Sequence, residues 1–136
     1  MRGLELMKTN SKLAFAMMVG ASMGVMGDMV IRGEQAKTAP GYVIAEAEIT
    51  NPTALQDYGK KIAETLEPFN HRYVVRTSQI LALEGDAPKD RVAIIEFDSV
   101  QKAREWYDSP AYAAIRPIRQ NATKSRIFIV EGVATQ

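Results

Sequence analysis

Between residues 42 and 131, segments with the hydrophobic periodicity of a strand alternate with segments that have the periodicity of a helix. The order of these segments constrains the fold more than any other feature of the sequence. Four segments alternate at period two or are rich in Val, Ile and Phe, which predicts strands at residues 42–49, 72–77, 91–97 and 126–131. Two segments repeat apolar residues at steps of three and four, which predicts one helix after the first strand and another after the third. The order β-α-β-β-α-β predicts the α+β class and a ferredoxin-like sandwich, in which two helices cover one face of a four-stranded antiparallel sheet.

The ends of the predicted helices carry their own signals. Asn51 is a favourable N-cap and Pro52 suits the first helical position. Asp98-Ser99 precedes the second helix, and Ser109-Pro110 predicts that this helix breaks and restarts. Pro117 lies inside the restarted helix and is expected to kink or end it. Between the second and third strands, residues 79–83 are a candidate for the second strand to resume, before the turn at residues 84–88.

Alternation divides each predicted strand between two faces of the sheet. One face is expected to pack against both helices because it carries no charged side chain: Val43, Ala45, Ala47, Ile49, Tyr73, Val75, Thr77, Ala93, Ile95, Phe97, Phe128 and Val130. The other face mixes aliphatic residues with six charges: Tyr42, Ile44, Glu46, Glu48, Arg72, Val74, Arg76, Val92, Ile94, Glu96, Ile127, Ile129 and Glu131. That face carries more aliphatic residues than a solvent-exposed face usually does, and more charged residues than a buried core does. We therefore expect a second copy of the chain to cover it in a homodimer.

Composition excludes several classes of partner and chemistry. The 136 residues suffice for one domain with one core. From residue 37 onward, 13 Lys and Arg residues are balanced by 13 Asp and Glu residues, whereas nucleic-acid-binding proteins usually carry a basic excess. The chain has no cysteine and one histidine, and it lacks a phosphate loop and a dinucleotide fingerprint. We therefore expect no nucleic-acid partner, no metal and no bound cofactor.

The first 36 residues differ from the rest of the chain, because all seven methionines lie within residues 1–29. Lys8 and Lys12 precede an uncharged apolar run at residues 13–27, which is shorter than the roughly 20 residues of a membrane-spanning helix. This pattern is typical of a secretory signal, and translation from Met7 would make it more regular. We expect export to the periplasm, with membrane contact only through this segment. An uncleaved anchor and an apolar helix of a cytoplasmic protein remain the alternatives.

A run of aromatic residues and arginines is the most distinctive local motif. The motif is Trp106-Tyr107-x-Ser109-Pro110-x-Tyr112, followed by Arg119. It is accompanied by five other segments: Gly41-Tyr42, Asn51-Pro52, Glu84-Gly85, Val92 to Phe97 and Val130-Glu131-Gly132. Together these segments resemble the domain-of-unknown-function 1330 family of dimeric α/β-barrel proteins, across residues 41–132. The resemblance implies a ferredoxin-like fold and a dimer whose sheets face each other. It implies no established activity.

A small set of polar residues forms the candidate site. Arg76, Tyr112, Arg116 and Arg119 are candidate ligand-binding residues, since arginine binds carboxylate and phosphate groups in a bidentate manner. Arg116 and Arg119 lie three apart on the predicted helix and are expected to share a face. His71 and Tyr107 are weak catalytic candidates, and His71 has an intrinsic pKa suited to a general base. The alternatives are an ion pair for Arg76, core or interface anchors for the aromatics, and a polar turn residue for His71.

Two functions fit these observations. The first is a pocket that binds or transforms a small organic acid or aromatic compound without metal or cofactor. The second is a non-enzymatic interaction module of the cell envelope, which the signal-like segment and the lack of catalytic motifs favour.

Overall fold

The computed structural model describes residues 38–136, and its four strands form one antiparallel sheet. The strands are β1 (Gly41–Ile49), β2 (His71–Thr77), β3 (Arg91–Phe97) and β4 (Thr123–Glu131), in the spatial order β2-β3-β1-β4. The helices are α1 (Pro52–Leu66), α2 (Val100–Asp108) and α3 (Pro110–Ala122). The predicted α+β class and ferredoxin-like arrangement are confirmed.

The predicted helix starts are confirmed at the level of single hydrogen bonds. Asn51 Oδ1 accepts a hydrogen bond from the Ala54 backbone at 3.1 Å, and Ser99 Oγ accepts one from Lys102 at 3.1 Å. Ser109 ends α2 and caps α3, where its Oγ accepts from the Tyr112 backbone. Each cap satisfies a backbone N–H that the first turn of a helix leaves without an intrahelical partner.

The core lies between the helices and one face of the sheet. Its largest fully buried side chains are Trp106, Tyr112, Phe97 and Leu66. The Trp106 ring stacks on Phe97 at a centroid distance of 5.5 Å, and its Nε1 donates to Thr65 Oγ1 at 3.0 Å. Each buried aromatic ring removes about 150–250 Å² from water, which stabilises the fold by roughly 4–6 kcal/mol before entropy is counted. The motif at residues 106–112 therefore acts first as the centre of the core.

The predicted faces are confirmed for β1 but are inverted in β4. Val43 lies opposite Ile129 and Ala45 lies opposite Ile127, so Ile127 and Ile129 share the helix-covered face. Phe128 and Val130 lie on the other face, each 37 % exposed. The prediction for β4 was wrong because residues 127–130 are all apolar, and alternation cannot assign a face to a continuous apolar run.

A bulge inverts the second half of β2. Tyr73 pairs with Ile95, but Val75 pairs with Ile94 and Arg76 with Ala93, so the register shifts between Tyr73 and Val75. The extra residue changes the side to which the following side chains point. Arg76 therefore faces the helices, and its predicted position on the mixed face was wrong. Arg91 also lies on the helix-covered face, opposite Ala47, so that face is not free of charge as predicted.

The structure also bears on two smaller predictions. Residues 79–83 form no strand, and Leu81 and Leu83 are more than four-fifths exposed. Without a sheet neighbour these apolar residues gain nothing from an extended conformation. Pro117 does not end α3, which continues to Ala122 at the cost of one backbone hydrogen bond.

The N-terminal predictions, namely the signal-like run, its cleavage and the start at Met7, lie outside the described residues. Within residues 38–136, no helix has the length and apolar character needed to cross a membrane.

Candidate functional site

A cavity of about 100 Å³ lies between the sheet and helices α1 and α3. Its floor is made of small side chains on the two central strands, Ala45 and Ala47 of β1 and Ala93 of β3. Larger residues at these positions would fill the space, as Ile95 and Phe97 do farther along β3. The small alanines therefore leave room under the helices at this end of the sheet.

Among residues 38–136, three arginines line this cavity, and no Asp or Glu does. Arg119 projects from α3, Arg91 from β3, and Arg76 from the bulged strand β2. The ion pairs among residues 38–136 include none of these three arginines. Positive charge is thus concentrated in a partly enclosed space whose other lining residues are uncharged, where it interacts more strongly with an anion than in water.

Arg119 is the most deeply placed of the three, with 8 % of its surface exposed. Its Nε donates to the Tyr112 hydroxyl at 3.2 Å and its Nη1 donates to Ser125 Oγ at 2.6 Å. Both acceptors are neutral, so these bonds orient the guanidinium without neutralising its charge. A buried charge without a counter-ion is costly, and an anion bound in the cavity would remove that cost.

A pair of tyrosine hydroxyls forms the next part of the wall. The hydroxyl oxygens of Tyr58 and Tyr112 lie 3.0 Å apart, and both side chains are buried. The Tyr112 oxygen already accepts from Arg119, so whichever tyrosine donates to the other, one phenolic proton remains for a ligand. Burial, reinforced by Tyr112, raises the pKa of Tyr58 well above its ordinary value. The Tyr58 hydroxyl therefore serves as a hydrogen-bond donor rather than as a base.

Arg76 and Arg91 lie at the open end of the cavity. Arg76 is exposed and Arg91 is half-buried, and both also line the adjoining surface groove with Lys60. The Arg76 guanidinium lies 5.2 Å from the centroid of the Tyr73 ring, which also lines the cavity. Burial raises the pKa of Tyr73. An anion approaching this groove meets three cations before it reaches Arg119.

The structure brings together three of the four predicted ligand-binding residues, namely Arg76, Tyr112 and Arg119. Arg116 lies elsewhere: it donates to the Tyr107 carbonyl, and its guanidinium lies 4.2 Å from the centroid of the Tyr107 ring. Arg116 and Arg119 therefore do not line the same cavity, although they lie three residues apart on α3. Residues three apart on a helix start about 60° apart around its axis, and the two long side chains extend from these positions in different directions.

Neither weak catalytic candidate lines the cavity. His71 lies at the start of β2, opposite Phe97, and its Nδ1 is 2.9 Å from the Phe69 carbonyl. Arg76 lies five residues farther along the same strand, so roughly 16 Å of strand separates the two positions. The Tyr107 ring packs against Trp106, Tyr112 and Arg116 outside the cavity. These contacts fit a turn residue and a packing residue.

Five polar residues that line the cavity were not predicted as site residues: Tyr58, Tyr73, Arg91, Thr123 and Ser125. The position of Arg91 could have been predicted from the sequence, because strand alternation places it on the same face as Ala93, Ile95 and Phe97. Tyr58 was assigned to the apolar face of α1, as its spacing requires, and nothing in that spacing shows where its hydroxyl points. Ser125 falls before the predicted start of the fourth strand.

Comparison with known proteins decides the family. The family described as Domain of unknown function (DUF1330) matches residues 40–133. The chain belongs to this family. The predicted resemblance is thereby confirmed over almost the whole DUF1330 domain. No curated protein matches the sequence.

Solved structures share the fold of the DUF1330 domain at low sequence identity. RPA0582, a protein of unknown function from Rhodopseudomonas palustris, is 21% identical with a TM-score of 0.59, over 81% of this chain and 94% of that one. SnoaB, a cofactor-independent oxygenase from Streptomyces nogalater, is 14% identical with a TM-score of 0.52, over 73% and 96%. A dimeric ferredoxin-like protein of unknown function from Thermobifida fusca is 11% identical with a TM-score of 0.50, over 72% and 95%.

Proposed function

We propose that this protein binds a small organic anion in the cavity between its sheet and helices α1 and α3. The observation that carries the proposal is the burial of Arg119, whose side-chain hydrogen bonds within residues 38–136 go to neutral partners. A folded protein keeps such a charge when something else supplies the negative charge. The carboxylate of a small acid suits a guanidinium, and the spare tyrosine proton can donate to its second oxygen.

The size of the cavity limits the ligand. A volume of about 100 Å³ is smaller than the roughly 150 Å³ of an enclosed cavity that holds benzene. This size favours a short aliphatic acid over an aromatic one. SnoaB, which has the same fold, is described as an oxygenase. That supports an organic molecule as the occupant, while the proposal concerns binding alone.

Thermal unfolding of the full-length chain tests this function. Acetate and propionate, at about five times their dissociation constants, should stabilise the protein by about 1 kcal/mol and raise Tm by about 4–8 °C. Acetamide and propionamide, which are neutral and of similar shape, should have little effect. Arg119→Met should remove the response to the acids, whereas Arg104→Met on the exposed side of α2 should leave it unchanged. Equal responses to acids and amides would exclude an anion site.

We also propose that a second copy of the chain covers the sheet face opposite the helices. An apolar row crosses all four strands on that face, because Ile44 pairs with both Ile94 and Phe128 and Ile94 pairs with Val75. Charged pairs flank the row, Arg72 with Glu96 at 2.8 Å and Arg126 with Glu46 at 2.6 Å. Because these charges are already paired, a partner surface can cover them at a lower cost. The dimeric ferredoxin-like protein from Thermobifida fusca supports this assembly for the fold.

Light scattering tests the dimer. The chain should be dimeric at micromolar concentration, and Phe128→Glu at the β4 end of the apolar row should shift it toward monomer. Val133→Glu, which adds the same charge beyond the end of β4, is the control. A monomeric wild-type protein would refute the dimer without affecting the cavity.

For localisation we propose export, on the basis of the basic start and the apolar run at residues 13–27. Fractionation of cells that produce the full-length chain with a C-terminal tag tests it. Recovery of the tag in the cytoplasm would contradict export.

A further inference from the structure

The positive charges of the cavity are divided between two ends. Ser125 on β4, Ala47 on β1 and Arg91 on β3 lie side by side across three neighbouring strands. Since neighbouring strands are about 4.8 Å apart, the Ser125 and Arg91 positions lie about 10 Å from each other, with the small Ala47 between them. Ser125 holds Arg119 at one end, and Arg91 and Arg76 lie at the other. The alanine floor between the two ends carries no polar side chain.

The two ends differ in burial and in hydrogen bonding. At the inner end, Arg119 is 8 % exposed and is fixed by Tyr112 and Ser125. At the outer end, Arg76 is exposed and Arg91 is half-buried, and no hydrogen bond to another side chain fixes either within residues 38–136. The inner end is thus preorganised for one carboxylate, whereas the outer end offers a second acidic group two cations that are not held by side-chain hydrogen bonds within residues 38–136.

A monoanion would neutralise only one end. With three arginines and no acidic lining residue, a monocarboxylate bound at Arg119 leaves Arg76 and Arg91 without a counter-ion. A phosphate group carries its negative charge in one place, so it would likewise neutralise only one of the two cationic ends. A ligand with a carboxylate at each end places negative charge at both cationic ends, while its methylene carbons lie over the alanines.

We propose, on the basis of the anion site proposed above, that the natural ligand class is short aliphatic dicarboxylates of about three to five carbons. One carboxylate binds at Arg119, Ser125 and the Tyr58–Tyr112 pair. The other binds at Arg76 and Arg91 in the opening. A cavity of about 100 Å³ accommodates the inner carboxylate and the chain, and the outer carboxylate extends toward the surface groove.

Isothermal titration calorimetry of the full-length chain with a ligand series tests this class. Malonate, succinate and glutarate are compared with acetate, propionate and butyrate, and with inorganic phosphate. At least one diacid should bind about tenfold or more tightly than every monoacid, with the affinity passing through a maximum along the diacid series. Diacids no tighter than monoacids, or phosphate tighter than all of them, would overturn the proposal.

Variants at the outer end separate the two carboxylates. Arg76→Met should weaken diacid binding about tenfold and leave acetate binding unchanged, because acetate has no group at the outer end. The control is Arg104→Met, which removes the same charge from an exposed position on α2 outside the cavity and should change neither. A loss of affinity equal for acetate and succinate in Arg76→Met would contradict two-point binding. Both positions are exposed, so neither substitution threatens the fold.

Failure of this inference can be distinguished from failure of the proposed function. If monoacids and diacids bind equally and Arg119→Met removes both, the anion site stands and the dicarboxylate assignment falls. If none of the acids binds, both fall.

Discussion

The hydroxyl oxygens of Tyr58 and Tyr112 lie 3.0 Å apart although 54 residues separate them in the chain. Their rings meet edge to face at a centroid distance of 6.5 Å. The pair joins α1 to α3 directly above the cavity, so the same contact stabilises the fold and orders the wall of the site.

Tyr58→Phe should lower the free energy of unfolding by about 0.5–1.5 kcal/mol at neutral pH, because it removes one buried hydrogen bond. Tyr112→Phe should cost more, since the Tyr112 hydroxyl also accepts from Arg119. Urea denaturation of both variants measures the difference. An equal or smaller loss for Tyr112→Phe would show that the Arg119 contact contributes no stability.

Stability should fall as the pH rises above about 10. The pKa of Tyr58 is raised from its ordinary value of 10.0, chiefly by burial, and burial likewise raises that of Tyr73. Above pH 10 the unfolded chain releases these protons while the folded chain keeps them, so unfolding is favoured by up to about 1.4 kcal/mol per pH unit for each tyrosine.

Urea denaturation between pH 8 and pH 11.5 measures this decline in stability, and Tyr58→Phe should make it shallower. Tyr107→Phe, which changes a ring outside the cavity, is the control. A slope that Tyr58→Phe leaves unaltered would refute the assignment to Tyr58.

Thr65→Val should destabilise the protein by about 1–3 kcal/mol, since it leaves the buried Trp106 Nε1 without an acceptor. Thr65→Ser keeps the hydroxyl and should cost less. Because Trp106 is the one tryptophan of the chain, its fluorescence reports both the unfolding transition and the local change. Equal losses for Val and Ser would mean that the methyl group, and not the hydrogen bond, matters here.

Gly41→Ala should destabilise the protein by about 1–3 kcal/mol, because a Cβ at this position would lie 2.5 Å from the Ser99 carbonyl oxygen and the Val100 nitrogen. Gly59→Ala is the matched control: a Cβ there meets nothing within 4 Å, and alanine favours the helix by about 1 kcal/mol. Thermal unfolding should therefore shift in opposite directions for the two variants. A neutral Gly41→Ala would show that β1 and the start of α2 can separate without cost.

The sequence predicted the parts of this fold that depend on local chemistry. Asn51, Ser99 and Ser109 cap helices as expected, because capping needs only a side-chain oxygen a few residues from a free backbone N–H. The face of β1 was also predictable, since polar and apolar residues alternate along it. In β4 the apolar run at 127–130 removed that signal, and the face was assigned wrongly.

The site was less predictable than the fold because it depends on long-range register. Tyr112 and Arg119 were found through their motif, but their partners Tyr58 and Ser125 come from other elements. Arg76 was selected for the right chemistry and placed on the wrong face. The bulge that moves it leaves no mark in the sequence His-Arg-Tyr-Val-Val-Arg-Thr, since neither glycine nor an interruption of the apolar pattern signals it.

The extra residue in the bulge places two arginines of β2 on opposite faces of the sheet, whereas a regular strand would place both on the same face. Arg72 and Arg76 are four positions apart, yet Arg72 pairs with Glu96 on the open face while Arg76 points into the cavity. The charge that a ligand meets in the cavity thus depends on the number of residues that precede Arg76 in β2, as well as on the residue type. Insertion or loss of a single residue upstream of Arg76 offers evolution a route to a different ligand without any change to the arginine itself.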